Sequence, residues 1–455
     1  MVSSTSPLAL LLALIALGSQ VPDGPRPTVP QDPGQGRSLW GPVATYGHMG
    51  LIVAGEPLPF VASLSYLSGP NADSTLVVFG LSLTNQALSF RKTDSNFEAR
   101  YSVILTFKDG EVIRAKLPAS EVVKVASYRE TVRRDESVVF QKFLFLAPGR
   151  LIAEVVVIDG YGSDTTRADF EIDVPRFDSD PMLSSIISIY QGEGRSSRDA
   201  MPGVVVNARA STPYGGDSLR LYMEGYGIQP GRFAAVRVAG SGGISIWSDS
   251  VRFDPRDGTL SVAFVTLPSD LLAVGTRKVE VAVGDLLSAS TPALIALSDE
   301  RPIASFEDVV SLLRYFDDTA WVAVLRDAAV EDRPARWRQF WTQTDTDPDT
   351  ALNEALDRYF MRVEEANVRF KEPGTAGWLT DRGEVFVTLG VPDDVRNLEP
   401  DRSSGGQGLV RWRYFEEELT LYFIDEANLG RFRLTPASRA DFAAAAGRRR
   451  NDRDG

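Results

Sequence analysis

Phe97, Ala99, Tyr101, Val103, Leu105 and Phe107 recur at every second position. In an extended chain that spacing turns all six side chains to one face of a strand. Lys108-Asp109-Gly110 then supplies a tight turn, and a second strand begins at Glu111. Val139 to Leu146, Pro148-Gly149 and Leu151 to Ile158 read as another strand–turn–strand unit, and Phe170, Ile172 and Val174 alternate before Pro175. Short strands at this spacing predict an antiparallel β-sandwich of immunoglobulin-like type over residues 45–176. Arg176 to Pro181 reads as a link. Strand signals resume over 182–298, at Ile186 to Tyr190, Val204 to Ala208, Leu219 to Met223, Ala234 to Val238, Leu260 to Val265 and Lys278 to Val283. Glycine turns such as Gly215-Gly216 and Gly242-Gly243 separate them, which predicts a second β-sandwich.

The pattern changes near residue 303. Ser305 followed by Asp308 fits a helix N-cap box, and broken helical patterning runs to about 342. Leu352, Leu356, Phe360, Val363, Ala366 and Phe370 fall at intervals of three and four, so Ala351 to Phe370 is expected to be a helix with one apolar stripe. Pro373-Gly374 stops it. Four strand-like segments follow: Glu384 to Leu389, Leu409 to Phe415, Leu419 to Ile424 and Arg431 to Leu434. Residues 303–440 therefore read as an α+β unit, helices packed beside a small antiparallel sheet. The expected fold is multidomain: two antiparallel β-sandwiches followed by this C-terminal unit.

The chain ends carry different signals. Leu8 to Leu17 is an apolar run too short to span a bilayer and of signal-peptide length. Cleavage after Gly18 is expected, although Met1 to Pro7 contains no Lys or Arg. Residues 19–44 have the Pro/Gly-rich composition of a linker, and 441–455, with Arg448, Arg449, Arg450 and Arg453, read as a disordered basic tail. No later stretch has the length and apolarity of a membrane helix. The mature chain is thus expected to be exported, to the periplasm, the cell surface or the medium, and not to be an integral membrane protein.

Composition narrows the chemistry. The net charge of −13 repels phosphate backbones, so nucleic acid is not expected as a partner. The chain has no cysteine and one histidine, His48. Thiolate metal sites, cysteine nucleophiles and Ser–His–Asp triads therefore have little or nothing to draw on. No phosphate-binding or dinucleotide loop is present as a motif, no cofactor is expected, and Gly240-Ser241-Gly242-Gly243 reads as a hairpin turn.

The densest motif is Gly377-Trp378-Leu379-Thr380-Asp381-Arg382-Gly383, followed by Gly390-Val391-Pro392-Asp393. Upstream lie Phe340-Trp341, the turn Asp345-Thr346-Asp347-Pro348-Asp349, Asn353-Glu354 and Ala366-Asn367. In this order these elements resemble the GWxTD-domain family of exported bacterial proteins, over roughly 303–436. Trp341-Thr342-Gln343-Thr344-Asp345 departs from the family's usual Trp…Arg-Asp turn. The resemblance implies an exported protein of no established activity. Its motif positions, Gly377, Trp378, Thr380, Asp381, Arg382, Gly383, Pro392, Asp393, Phe340, Trp341, Asn353 and Glu354, are the candidate structural or ligand-binding residues.

Read physically, the heptapeptide is either a structural corner or a ligand-contacting loop. Gly377 and Gly383 permit close backbone approach, Trp378 offers a large apolar face, and Thr380 and Asp381 can bond nearby amides. Asp345, Asp347 and Asp349 have the opening spacing of a calcium loop, but Thr350 replaces its glycine and Leu356 its bidentate Glu, leaving an Asx-type turn as the plainer reading. Trp337, Phe340 and Trp341 are either core or a stacking cluster. Two functions stay open: a non-enzymatic exported binding or scaffold protein facing a protein or cell-envelope partner, and a hydrolase of envelope polysaccharide using carboxylates such as Asp381 and Asp393.

Overall fold

The computed structural model describes residues 42–298, 300–347, 353–398, 408–425, 427 and 429–451. The expected signal peptide and residues 19–41 of the expected linker lie outside them. The linker's last residues are not irregular: Pro42–His48 forms a short helix, α1. Tyr46, Met49 and Leu51 behind it bury against Val61, Ala210, Leu294 and Ala296, which fastens this segment to two different sheets.

Residues 52–174 form two facing sheets. Ile52–Ala54, Phe60–Ser68, Thr75–Thr84 and Glu136–Leu146 make the first, in that order. The second runs Arg91–Lys92, Phe97–Asp109, Gly149–Asp159, Thr165–Val174, with Val112–Val125 also paired to Phe97–Asp109. Phe79, Leu81 and Phe140 from the first sheet meet Tyr101, Val103, Leu105, Phe107 and Val155 from the second in one core. The expected hairpin at Lys108-Asp109-Gly110 is present. The turn at Pro148-Gly149 is different in kind, because the strands flanking it lie in different sheets. A one-turn helix, α2 (Tyr128–Thr131), opens on a Ser127–Glu130 capping box.

Residues 182–297 build two more sheets. The third is ordered Gly203–Val206, Ile187–Glu193, Leu219–Tyr226, Leu260–Leu267, Asp254–Pro255, with Met182–Leu183 paired to Leu219–Tyr226. The fourth is ordered Ser211–Pro213, Leu287–Ala296, Gly275–Val283, Phe233–Ala239, Ser245–Arg252. It is not wholly antiparallel, since Ser211–Pro213 runs parallel to its neighbour.

The first and third sheets pack against each other through Leu67, Leu76 and Val78 on one side and Ile187, Ile189, Val204 and Val206 on the other. Thr75–Thr84 is consequently buried on both faces, and its stretch Leu76 to Leu81 is a continuous apolar run where a half-solvated strand would alternate. A Cβ on Gly80 would lie 2.6 Å from Val206 Cγ1, so the glycine sets how closely the sheets approach. The Gln141 side chain donates to Val204 O and accepts from Val206 N, both at 2.9 Å, copying a backbone bridge. Nearby, Arg195 and Glu224 form a fully buried ion pair at 2.7 Å, and Arg195 also donates to Ser68 O across the junction. The expected link Arg176 to Pro181 is held too, with Phe177 buried on Tyr226.

The remaining elements are α3 (Phe306–Leu312), α4 (Thr319–Asp327), α5 (Arg333–Thr344), α6 (Glu354–Arg369), α7 (Asp381–Leu389) and α8 (Pro436–Asn451). A small antiparallel sheet accompanies them, ordered Asp394–Leu398, Gly408–Tyr414, Leu419–Asp425, Arg433–Leu434. Ser305 caps α3 as expected, accepting from Asp308 N. The described stripe of α6, from Leu356 to Phe370, is buried.

Two expectations fail here. Glu384 to Leu389 is not a strand but most of α7. Thr380 caps its start, Gly390 at φ 92° ends it, and Val385, Phe386, Val387, Thr388 and Leu389 are all buried. A helix covered on every side has no polar face, so its valines alternate like those of a strand. The tail expected to be disordered is, through Asn451, helix α8. Phe442, Ala445 and Ala446 bury against the core, and Arg449 donates to Thr388 O and Leu389 O at 3.1 and 3.0 Å, closing the C-terminus of α7.

Candidate functional site

The heptapeptide forms the corner between α6 and α7. Gly377 N donates to Asn367 Oδ1 at 3.0 Å, and Gly377–Leu379 makes one 3-10 turn. A Cβ on Gly377 would meet Ala366 O at 2.3 Å, and one on Gly383 would meet Gly377 O at 2.0 Å. Both glycines are therefore demanded by close backbone contact. Thr380 Oγ1 donates to Gly377 O at 2.7 Å and accepts from Gly383 N at 3.1 Å, so one hydroxyl closes the turn and starts the helix.

Trp378 is 4% exposed and lies edge-on to Tyr315, with ring centroids 6.1 Å apart. The Arg314 guanidinium sits 5.5 Å from its ring. Asp381 ties the corner to the C-terminal segment: Oδ2 accepts from Leu434 N at 2.7 Å and pairs with Arg439 at 2.8 Å. Arg439 also bonds Glu384 at 2.6 Å, so α8 is clamped to the first turn of α7. Arg382 stacks 4.1 Å from the Phe432 ring centroid and reaches Glu372 at 3.7 Å; burial holds its pKa below the ordinary arginine value. Glu372, whose side chain is wholly buried, accepts from Phe432 N at 3.0 Å and from Arg433 at 3.0 Å. It is central to this corner, yet Lys371-Glu372-Pro373-Gly374 signals only a helix stop in the sequence.

The other candidates lie on the flanks. Pro392 is buried, and Asp393 is exposed with Oδ2 accepting from Phe415 N at 2.7 Å. Phe340 is fully buried, and half-buried Trp341 packs on Tyr214 at 4.9 Å. Asn353 joins two helices: its amide donates to Trp341 O and Thr344 Oγ1 at the end of α5, and its oxygen caps α6 by accepting from Leu356 N, each at 3.0 Å. Glu354 is the half-buried first residue of α6. Asp345 Oδ1 accepts from Asp347 N at 3.1 Å, an Asx turn, and Asp349 lies outside the described residues. Among the described residues no three His, Cys, Asp or Glu side chains are grouped to hold a metal.

An open slot of about 390 Å³ lies far from the motif, between Val112–Val125 and Glu136–Leu146, lined by Tyr101, Glu121, Val123, Val138, Phe140 and Gln141 among others. No motif residue lines it.

A family model, the GWxTD domain, matches residues 287–418. The chain carries a GWxTD domain over these residues. This GWxTD domain begins in strand Leu287–Ala296 of the fourth sheet and ends just beyond Tyr414. The position its name leaves open, Leu379, is the exposed one, at 40%. No curated protein matches the chain. Among solved structures it is similar to a tetra-tandem repeat from the extending region of a large adhesion protein, with 13% identity over 52% of this chain and 48% of that one, and a TM-score of 0.17. It is also similar to the native conformation of E. coli alpha-2-macroglobulin, with 10% identity, 52% and 16% coverage, and a TM-score of 0.17. The chain thus spans about half of the first and about a sixth of the second.

Proposed function

We propose that this GWxTD protein is an exported, non-enzymatic binding or scaffold protein, in which two immunoglobulin-like sandwiches present the GWxTD unit to a protein or cell-envelope partner. The apolar run Leu8 to Leu17 supports export. The two pairs of facing sheets fit the sandwich reading. One observation carries the proposal: the motif's functional groups are spent on the fold. Asp381 serves Leu434 N and Arg439, Asp393 serves Phe415 N, and Thr380 is a helix cap. Each of the two carboxylates suggested for acid–base work on a sugar already serves a fixed partner in the fold, and no contact among the described residues brings them together as a facing pair. Among what the unit offers outward are three large apolar side chains: Val391 is 64% exposed, Phe415 57% and Val395 51%. Such side chains gathered near one sheet end suit a partner surface.

The test is affinity purification from native envelope with the full chain and with a Val391→Ser/Phe415→Ser variant. The proposal expects a recurring partner that the variant loses while its melting temperature is unchanged. Repeated recovery of no partner, or turnover of envelope polysaccharide abolished by Asp381→Asn and Asp393→Asn, would overturn it.

A further inference from the structure

The outward face of the second sheet is rich in cations at one end. Cross-strand register sets Glu98 between Arg91 on one neighbouring strand and Lys124 on the other. Alternation along the strand makes Arg100 and Val122 the next row of the same face, and Ser102 and Ser120 the row after, with their hydroxyls 2.8 Å apart. Glu98 Oε1 accepts from the Tyr161 hydroxyl at 2.7 Å and from Arg100 Nε at 2.9 Å, and Lys124 Nζ stands 4.0 Å from Oε2. The bond from Tyr161, then that from Arg100, holds Glu98 below the ordinary carboxylate range. The Arg91 and Arg100 guanidiniums lie 4.3 and 5.5 Å from the Tyr161 ring centroid. Beneath the sheet, buried Asp159 fixes this loop by accepting from Tyr161 N at 3.1 Å and Ser89 N at 3.0 Å.

Three cations thus gather around one outward carboxylate, and the carboxylate is the covered partner. The side chains of Arg100 and Lys124 are 58% and 63% exposed, that of Glu98 only 13%. Arg91 is exposed too, and among the described residues no carboxylate lies at ion-pair distance from it. Further along the same face the charges match, Glu154 and Asp169 against Lys108 and Arg167. Like charges on facing strand positions repel, so the cluster suits a ligand that brings negative charge. Arg91 and Arg100 offer forked donors for a carboxylate. Val122, 50% exposed and directly across from Arg100, offers an apolar surface beside them, and the two serines offer hydroxyls. An acidic sugar carries the matching three features on one ring: a carboxylate, a C–H face and hydroxyl groups. We propose that this face binds a carboxylate-bearing polysaccharide, with Arg91 and Arg100 on its carboxylates and Val122 under a ring. The net charge of −13 separates the anionic occupants. An anionic lipid surface meets the whole acidic chain and is repelled, whereas a single polymer strand touches the cationic end alone. The site lies outside the GWxTD unit and goes beyond the reading given for that unit, from which it takes only the export that brings the chain to such a polymer.

The test is calorimetric titration of the purified full chain with oligogalacturonate, with a neutral galactan oligomer and with phosphatidylglycerol vesicles. The expected result is saturable binding of the acidic oligomer that weakens as salt rises, with no binding of the neutral oligomer or the vesicles. Arg91→Gln/Arg100→Gln is expected to weaken binding at least tenfold. Arg252→Gln/Lys278→Gln, which removes the same charge from the fourth sheet, leaves it near wild type. Should the first variant fail to fold, Lys124→Gln, at the rim of the cluster, is expected to weaken binding severalfold and supplies the comparison. No saturable binding of the acidic oligomer, equal binding of the neutral oligomer or the vesicles, or equal losses in cluster and control variants overturns the proposal. Val391→Ser/Phe415→Ser is expected to bind the oligomer like wild type, so failure here leaves the partner surface of the GWxTD unit standing.

Discussion

At the residue scale the corner is decided by space and by single hydroxyls. Ala is normally preferred to Gly inside a helix by about 1 kcal/mol. At Gly383 the sign reverses, because the new Cβ would lie 2.0 Å from Gly377 O and 2.7 Å from Trp378 Cα, both main-chain atoms that cannot swing aside. Gly383→Ala is expected to destabilise by about 1–3 kcal/mol in urea titrations, and a gain of stability would contradict the packing described. Thr380→Ala removes the cap and the bond to Gly377 O, a loss of about 1–2 kcal/mol, whereas Thr380→Ser keeps both and stays near wild type. On the second sheet, Glu154 is held below the ordinary carboxylate range first by its hydrogen bond from Lys108 at 2.7 Å, then by Arg167. A depressed carboxylate stabilises the fold above its unfolded value, near 4.5, and that contribution is lost as pH falls through the folded value. The stability gap between wild type and Glu154→Gln should therefore be open at neutral pH and close under acid, as read by denaturant midpoints across pH.

At the element scale the corner depends on α8. This helix covers α7 through Phe442, Ala445 and Ala446, clamps its first turn through Arg439 and closes its last through Arg449. Phe442→Ala is expected to cost about 3–5 kcal/mol, seen as a lowered urea midpoint, and a neutral result would mean that α8 is not part of the core. This dependence also explains what could be read from the chain and what could not. Strand Phe97–Asp109 was legible because one face is buried and the other meets solvent, so its alternation survives in the sequence. The stripe of α6 was legible for the same reason at helical period. Helix α7 was not, because burial on all sides erases the contrast that periodicity measures. Helix α8 was hidden by its arginines, which resemble a solvated run until Arg439 and Arg449 are seen to have fixed acceptors. Among site residues, Thr380 and Asn353 announce themselves as capping types in capping positions. Glu372 does not, since its partners Phe432 and Arg433 lie about 60 residues away.

At the scale of the molecule, apolar contact runs without a break from the third sheet to α8. One core joins Leu183 and Ile186, Val236 and Val279 of the fourth sheet, Trp337 and Phe360 of the helices, and Leu421 of the last sheet. Tyr214 is the visible hinge pin of this continuity, with Trp337 edge-on at 6.1 Å and Trp341 at 4.9 Å. Arg338 adds a bond to Asp270 O at 3.1 Å. A boundary near residue 300 would cut through this core. The fragment 303–455 would expose Trp337, Phe306 and their neighbours to water, while 182–455 keeps them covered. The shorter fragment is expected to retain helical far-ultraviolet dichroism, lose its near-ultraviolet signal and bind a hydrophobic dye. The longer fragment is expected to show a fixed near-ultraviolet spectrum and one cooperative melt. If the shorter fragment instead gave sharp aromatic dichroism and its own cooperative melt, the helices would be an independent domain, and the contacts to Tyr214 would be an interface between domains where we read a shared core.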